Sequence, residues 1–287
     1  MTLTTNIALT ALIASAALAS PVGNVRRDSA AAPICNLAWS NSGMQAKTDC
    51  TGAVVLFSDP LIPDPRVDGQ RANGTTGEIM AYLSVGTVNP LYAPDPRLLD
   101  YQWQQNLDKN SEGELWGDFW FNPDDLNDHI LPIMKDIISS YRALNYTAIS
   151  TDNAKPSTAV TENDAQAKAY ADTERIDPRY VEYLKNIIDF AHSLDMEVAL
   201  KNPSYYVNEP TVIDEFDAYL VESLFNWYPW DIDVYGSLPY GPKPFWIFQY
   251  PGVNGLTNQE LHDRMVERNL SKVYLDSEDG YVSYYAF

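Results

Sequence analysis

The stretch YTAISTDN, residues 146–153, is a short apolar run that stops abruptly at Asp152 and Asn153. A mostly continuous apolar run of this length is typical of a strand that is buried on both faces, as the strands of a parallel sheet are. Seven similar runs occur elsewhere in the chain, and they read AVVLFSD (53–59), IMAYLSVG (79–86), LWGDFW (115–120), EVALKN (197–202), AYLVES (218–223), FWIFQY (245–250) and KVYLDS (272–277). We therefore predict eight buried strands.

Amphipathic segments between these runs predict helices. Apolar residues recur at helical spacing over 126–144 and 179–194, and a third helix is expected at about 258–268. Asp124 and Asp125 precede the first of them, where carboxylates favour the helix dipole. Strands that alternate with helices predict right-handed βαβ units and a parallel sheet. Since we find no linker or internal repeat, the sequence predicts a single-domain (β/α)8 TIM barrel, and a doubly wound open sheet is the alternative.

Polar residues follow the predicted strands at the end where barrel enzymes carry their catalytic groups. Such residues are partly expected, because loops begin there, but a cluster of carboxylates around one lysine is more than a loop requires. In chain order they are Asp59, Ser84, Asp118, Asp152, Lys201 with Asn202, Glu222, Gln249 and Asp276.

Two of these carboxylates suit the hydrolysis of a glycosidic bond. That reaction needs one acid to protonate the leaving oxygen and a second carboxylate to act as nucleophile or base. Asp152 and Glu222 come from the fourth and sixth predicted strands, so they can approach one bond from two directions. Lys201, on the strand between them, would keep one carboxylate charged beside a neutral acid. The alternative is that Asp152 and Asn153 only begin a loop and that Lys201 forms an internal ion pair.

From residue 53 to the seventh strand, the chain resembles glycoside hydrolase family 114, the endo-α-1,4-polygalactosaminidases. The pieces that carry the resemblance are YLSVG (82–86), GELWGDFW (113–120), TDN (151–153), ALKN (199–202) and VES (221–223). The resemblance implies a (β/α)8 barrel in which Asp152, within the Asp152-Asn153 pair, is the nucleophile of a retaining mechanism and Glu222 is the acid/base. It also implies that Trp116, Asp118, Lys201 and Asn202 contact the substrate.

The chain departs from that family at Pro203, where an acidic residue is common, and at two other positions of the expected site. Ser150 stands where members often carry glutamate, and Gln249 stands where many carry an acidic residue. These differences keep two other interpretations open: a catalytically weakened barrel that binds an amino-sugar polymer as a lectin does, and a hydrolase of another α-glycan. Aromatic residues after the fifth and sixth strands could stack on sugars or pack the loops, and they are Tyr205, Tyr206, Trp227, Tyr228 and Trp230.

The N-terminal segment predicts export. Residues 7–19 form an apolar run too short to span a bilayer, and it closes on the small-x-small pattern of a signal-peptide cleavage site. We expect residues 1–19 to be a signal peptide, 20–27 a pro-segment that ends at Arg26-Arg27, and 28–287 the secreted, extracellular enzyme. The alternative is an N-terminal anchor that is never removed.

Features of oxidised, secreted proteins agree with export. Cys35 and Cys50 are the two cysteines of the chain, and we expect them to form a disulfide near the mature N-terminus. Asn73, Asn145 and Asn269 each begin an N-glycosylation sequon.

The charge of the chain limits its partners. The formal net charge is −20, which disfavours nucleic acid and anionic membranes and favours a cationic ligand. The three histidines lie in predicted helices and form no metal-ligand pattern, and no phosphate-binding loop is present. We expect a monomer that needs no metal or organic cofactor and whose partner is a cationic polysaccharide substrate.

Overall fold

The computed structural model describes residues 34–36, 55–58, 60–61, 78–107, 115–155, 163–171, 175–206, 209–222, 243, 245–249, 272–276 and 281–286. Across these ranges, nine strands close into a barrel. Eight of the nine run parallel to one another, and the ninth, residues 281–286, lies antiparallel between the last and the first of the eight. The predicted (β/α)8 TIM barrel is therefore confirmed, with one added strand.

The strands, in chain order, are β1 (Ile34–Asn36), β2 (Val55–Ser58), β3 (Glu78–Ser84), β4 (Thr87–Val88), β5 (Gln102–Gln105), β6 (Phe119–Phe121), β7 (Ala148–Asp152), β8 (Glu197–Lys201), β9 (Ala218–Glu222), β10 (Phe245–Gln249), β11 (Lys272–Asp276) and β12 (Tyr281–Ala286). β4, β5 and β6 form a separate antiparallel sheet in the order β4-β6-β5. The other strands, in the order β1-β12-β11-β10-β9-β8-β7-β3-β2, form the barrel.

One predicted barrel strand, LWGDFW (115–120), is wrong. Only its last residues are in a strand, and that strand, β6, belongs to the small antiparallel sheet. Leu115 and Trp116 are exposed, and Gly117 has a φ of +79°, which ends the extended conformation between the two halves of the run. β3 pairs directly with β7, and the eighth parallel strand is β1, which lies beside β2 and whose three residues are too few to give a recognisable apolar run. The count of eight parallel strands still holds, and Asp152 still ends the fourth of them.

The central barrel strands are buried along nearly their whole length. In β7 every residue but the last is buried, and in β8 every residue but the first. This continuous burial explains why their sequences do not alternate between apolar and polar residues, since both faces of a parallel barrel strand pack against protein. Asp152 and Lys201 are the last residues of these two strands. The packing of the barrel does not by itself require a charged residue at either position.

The described helices are α1 (Leu131–Ala143), α2 (Ala165–Ala171), α3 (Pro178–Ser193) and a single turn, α4 (Pro210–Ile213). A 3₁₀ turn at Pro123–Asp125 and a π turn at Leu126–Ile130 lead directly into α1, so the helical run predicted over 126–144 is confirmed. Asp177 caps α3 by accepting the Arg179 N–H at 3.0 Å. The face predicted for the segment 179–194 is buried, and its members are Tyr180, Tyr183, Leu184, Ile187, Ile188 and Ala191. The helix predicted at 258–268 lies outside the described residues.

Ion pairs fix α2 and the start of α3 to each other. The Arg179 guanidinium contacts the carboxylates of Asp124, Asp164 and Asp177, and the Asp177 side chain is fully buried. Asp164 precedes α2, so this one guanidinium joins α2, α3 and the turn before α1. Within the described residues, no helix is both long enough and apolar enough to cross a membrane.

Candidate active site

The Asp152 carboxylate lies at the C-terminal end of β7, and both of its oxygens accept hydrogen bonds. The Tyr82 hydroxyl donates to Oδ2 at 2.9 Å, and the Lys201 ammonium donates to the same oxygen at 2.7 Å. Oδ1 accepts the backbone N–H of Asn153 at 2.8 Å. Three donors from three strand ends therefore hold this carboxylate in one orientation.

The register of the barrel brings these groups together. Ser84 of β3 pairs with Asp152, and Thr151 of β7 pairs with Leu200. Tyr82 therefore lies on the same face of the sheet as Asp152, because side chains two residues apart share a face. On the other flank, Lys201 ends β8 beside Asp152.

Lys201 is almost buried, with its side chain 5% exposed. A buried ammonium is costly unless it is paired. Its pairs are the Asp152 carboxylate, whose side chain is 15% exposed, and the ring of Tyr82, whose centre is 5.7 Å from Nζ. The structure therefore contains the internal ion pair that the sequence offered as one interpretation of Lys201, and the catalytic role of Asp152 stays a prediction.

An asparagine in the left-handed conformation follows each of these strand ends. Asn153 has a φ of +52° and Asn202 a φ of +51°, values that asparagine tolerates better than most residues. The Asn153 side chain donates to Ser84 Oγ and Thr87 Oγ1, each at 3.0 Å. The Asn202 N–H donates to the carbonyl of Leu220 at 2.6 Å. In the Asp152-Asn153 and Lys201-Asn202 pairs, the turn at asparagine ends the strand, so the charged residue before it is the last residue of that strand.

Gly86 allows the chain after β3 to pass against the Asp152-Asn153 turn. A Cβ at this position would lie 1.9 Å from the Asn153 carbonyl oxygen and 3.3 Å from the Trp120 ring, so no larger residue fits without a backbone shift. The Val85 N–H donates to the Asp152 carbonyl at 2.9 Å beside this contact. The close approach of the chain to the Asp152-Asn153 turn thus explains the glycine of the YLSVG motif.

Asp118 supplies a second carboxyl group near Asp152. The Asn89 side-chain amide donates to Asp118 Oδ1 at 2.8 Å and to the Trp116 carbonyl at 2.9 Å. Burial raises the pKa of Asp118, the Asn89 hydrogen bond lowers it, and the negative charge of Asp152 raises it again, so that the pKa lies above its ordinary value of 3.8. Two residues away, the Trp116 side chain is 53% exposed. This segment therefore presents an aromatic face next to a carboxyl group that is harder to ionise than usual.

The sequence of the chain matches an enzyme family over most of its length. Residues 27–277 fit the profile of glycoside-hydrolase family GH114. The chain belongs to this family. It is therefore a glycoside hydrolase, as the short motifs at its strand ends implied.

Two solved structures are similar to this GH114 enzyme in fold. The crystal structure of Aspergillus fumigatus Ega3 in complex with galactosamine is 18% identical, with a TM-score of 0.59 over 88% of this chain and 93% of that one. The glycoside hydrolase domain of PelA from Pseudomonas aeruginosa is 12% identical, with a TM-score of 0.53 over 86% of this chain and 96% of that one. A search of curated proteins gave no match to the sequence.

The structure brings together only part of the predicted site of this GH114 barrel. Asp152, Asn153 and Lys201 lie in hydrogen-bonding contact or one residue apart, and Asn202 follows directly. Electrostatic coupling to Asp152 indicates that Asp118 is nearby, although it lies in the loop before β6 and does not end a barrel strand. For three other residues only the backbone is described, and each ends a barrel strand as predicted: Glu222, Gln249 and Asp276.

Other predicted residues lie outside the part of the chain that the structure describes, namely Asp59, Trp227, Cys50, Asn73 and Asn269. Cys35 is the middle residue of β1, and its predicted disulfide with Cys50 stays a prediction. Asn145 is exposed at the turn between α1 and β7, with a φ of +63°. Tyr206 does not face a sugar, because it is buried and donates its hydroxyl to the Ala154 carbonyl.

Tyr82 is the residue of this site that had no predicted role. It lies two positions before the end of β3, where an aromatic residue would ordinarily be read as core. Its spacing could have indicated a role, because a side chain two residues before the end of a strand lies on the same face as the last side chain of that strand. The hydroxyl group of Tyr82 can therefore reach a site at the strand ends. Among the described residues, no three histidine, cysteine, aspartate or glutamate side chains converge into a group able to hold a metal ion.

Proposed function

We propose that this enzyme is a secreted, endo-acting, retaining hydrolase of α-1,4-linked galactosamine polymers, with Asp152 as nucleophile and Glu222 as acid/base. The observation that carries the proposal is the Asp152 carboxylate, held through both oxygens at the C-terminal end of a barrel strand. This is the end of the barrel at which enzymes of this fold carry out their chemistry. A carboxylate that only began a loop would not need a buried lysine and a tyrosine hydroxyl to orient it.

The strand order supports the pairing of Asp152 with Glu222. β7 and β9 are separated by one strand, β8, which ends in Lys201. Neighbouring strands lie about 4.8 Å apart, and Glu222 lies two residues beyond Leu220, the residue of β9 in register with Lys201, so the backbones of Asp152 and Glu222 start roughly 12 Å apart. Carboxyl groups that lean inward from there can reach the separation of about 5–5.5 Å that a retaining mechanism requires.

The two carboxyl groups have complementary tasks in the proposed reaction. An Asp152 oxygen bonds to the anomeric carbon while Glu222 gives its proton to the leaving oxygen, and the glycosidic bond breaks. Water then attacks the anomeric carbon, gives a proton to Glu222 and releases Asp152. Lys201 supports this division because its ammonium forms an ion pair with Asp152, the proposed nucleophile.

The charge of the chain and of its site supports a cationic amino sugar. The net charge is −20, and Asp118 places a second carboxyl group close to Asp152. An ammonium group on the substrate would relieve the repulsion between these carboxylates, which a neutral sugar would not. The exposed ring of Trp116 offers a surface on which a sugar ring can stack. The complex of Ega3 with galactosamine points to the same class of ligand.

Secretion follows from the proposed substrate and from the N-terminal sequence. The apolar run at 7–19 and the dibasic pair at Arg26-Arg27 support removal of residues 1–27 and export of the remainder. In the proposed reaction the enzyme works as a monomer on an extracellular polysaccharide, without a metal or organic cofactor.

The test uses purified α-1,4-linked galactosamine polymer and follows products by size and by proton NMR. We expect a ladder of oligosaccharides from the start of the reaction, with the α-anomer of the new reducing end formed first. The fully N-acetylated polymer, which lacks the ammonium groups, is the matched control and should be cleaved much more slowly. Initial release of the β-anomer contradicts retention, and release of monosaccharide alone contradicts endo action. A wild-type protein that binds the polymer without cleaving it would be the lectin-like barrel instead.

A further inference from the structure

Tyr82 has a hydroxyl group that the proposed reaction has not yet used. It donates to Oδ2 of Asp152 at 2.9 Å, and the Lys201 ammonium donates to the same oxygen at 2.7 Å. Oδ1, by contrast, accepts one described donor, the Asn153 backbone N–H. The two oxygens of the nucleophile are therefore held unequally.

We propose that Tyr82 is a positioning residue for the second half of the reaction: its hydroxyl, together with Lys201, holds Oδ2 and thereby favours the release of Asp152 from the glycosyl-enzyme ester. The inference rests on the proposed function, since it needs Asp152 to be the nucleophile. Oδ1, which carries fewer donors, is the oxygen that bonds to the sugar.

The charge on Oδ2 changes during the reaction, and the hydrogen bonds change with it. In the free enzyme, Oδ2 carries part of a full negative charge, and hydrogen bonds to ionised acceptors are the strong ones. In the ester, Oδ1 is bonded to the anomeric carbon and Oδ2 is a neutral carbonyl oxygen, to which the same donors bind more weakly. Tyr82 and Lys201 therefore stabilise the free carboxylate more than they stabilise the ester.

The two steps of the reaction respond in opposite ways. In the first, an electron pair of Oδ1 forms the bond to the anomeric carbon, the glycosidic bond breaks, and the leaving oxygen takes the proton of Glu222. In the second, a water oxygen bonds to the anomeric carbon, its proton goes to Glu222, and the electron pair of the breaking bond returns to Asp152. Negative charge grows on the carboxylate only in the second step, so donors to Oδ2 stabilise that transition state and lower its barrier.

The packing around Tyr82 supports this role. Its ring lies 5.7 Å from Nζ of Lys201, so the same side chain also supports the ammonium that shares Oδ2. Ser84, two residues further along β3, pairs with Asp152 in the barrel register. The pairing of β3 with β7 therefore fixes the distance between Tyr82 and the nucleophile, Asp152.

The experiment compares wild type with Tyr82→Phe, which removes one hydroxyl and keeps the ring over Lys201. The matched control is Tyr219→Phe, because the Tyr219 hydroxyl, which is buried, donates to a backbone carbonyl, that of Ile213, at 2.7 Å and not to Asp152. The substrate is the 4-nitrophenyl glycoside of an α-1,4-linked galactosamine oligosaccharide, whose good leaving group makes the first step fast. Two quantities are measured: the steady-state constants, and the mass of the intact protein after acid quenching during turnover.

For Tyr82→Phe we expect kcat and KM to fall together by roughly ten- to a hundredfold, as loss of one hydrogen bond to a charged group would give. Because the ester then accumulates and the first step is not slowed, kcat/KM should equal or exceed that of wild type, and the quenched protein should carry the mass of the glycosyl group. Tyr219→Phe should keep the wild-type constants and carry no more added mass than wild type does.

Two results overturn the inference while leaving the proposed function intact. One is a fall in kcat/KM at unchanged KM without added mass, which would make Tyr82 important for the first step only. The other is a variant with wild-type constants. If wild type does not cleave the substrate, or if Asp152→Asn still cleaves it, the proposed function has failed and this inference falls with it.

Discussion

The Lys201 ammonium lies 2.7 Å from Oδ2 of Asp152, and the two side chains are 5% and 15% exposed. Charges this far from solvent are costly to separate, because each loses the partner that offset its desolvation. The contact joins the ends of two neighbouring barrel strands, β7 and β8. It therefore links the stability of the barrel mouth to the chemistry proposed there.

Lys201→Met should destabilise the protein and abolish activity. It leaves Asp152, whose side chain is 15% exposed, without its cation, which should lower the free energy of unfolding by about 3–5 kcal/mol at neutral pH. The control is Lys185→Met, since Lys185 and Glu215 form an ion pair of 3.7 Å whose side chains are 41% and 42% exposed. An exposed pair contributes about 0–1 kcal/mol. Urea unfolding measures both variants, and equal losses would contradict the buried character of the Lys201 pair.

Gly86→Ala should damage the site through the backbone. The new Cβ would lie 1.9 Å from the Asn153 carbonyl oxygen, so the Asp152-Asn153 turn must move. We expect kcat to fall at least about a hundredfold, since small displacements of a reacting group have effects of that order. Gly117→Ala is the control, because its Cβ would meet nothing nearer than 3.8 Å and would only strain a φ of +79°. If Gly86→Ala keeps wild-type turnover on α-1,4-galactosamine polymer, the turn does not position Asp152 as described.

Asn153 should be replaced more safely by glycine than by alanine. Both substitutions lose the hydrogen bonds to Ser84 and Thr87, but glycine accepts a φ of +52° at little cost, whereas alanine adds about 1–2 kcal/mol of strain. The exposed Asn145, at a φ of +63°, gives the same comparison away from the site. In unglycosylated protein, thermal unfolding should place Asn145→Gly near wild type and Asn153→Gly clearly below it. The side-chain contacts of Asn153 would be unimportant if both glycine variants matched wild type.

The fold could be predicted from the sequence where a pattern of apolar residues is typical of one kind of secondary structure. The buried runs that became β7 and β8 and the apolar face of α3 were recognisable because their burial is continuous or periodic. The run at 115–120 misled because apolar residues can also be exposed, as Leu115 and Trp116 are. Tyr82 could not be assigned a role, since its partner Asp152 lies 70 residues away and only the barrel register joins them. The effect of the departure at Ser150 could be judged only from the structure. The buried hydroxyl of Ser150 has no described hydrogen-bond partner, and the contacts of Asp152 are nevertheless intact.

The stability of the protein should depend on the ionisation of Asp118. Burial raises the pKa of this carboxyl group above 3.8, so the folded protein holds a proton that the unfolded chain has already released. Stability therefore falls as pH rises from about that value through the raised pKa, and then levels off. Asp118→Asn removes this dependence while keeping an acceptor for Asn89. Urea unfolding between pH 4 and pH 7 should show the variant gaining stability relative to wild type as pH rises, and a constant difference across that range would contradict the raised pKa.

Asp152 is the proposed nucleophile, and the turnover of Asp152→Asn on α-1,4-linked galactosamine polymer tests this role. An amide has nearly the shape of the carboxylate but cannot form the glycosyl ester, so kcat should fall by about a thousandfold or more while the polymer still binds. Asp136→Asn is the control for loss of one negative charge, because Asp136 lies exposed on α1 and pairs with Arg97; it should cleave as wild type does. Melting temperatures establish that each variant is folded. Release of oligosaccharides by folded Asp152→Asn at the wild-type rate would show that Asp152 is not the nucleophile.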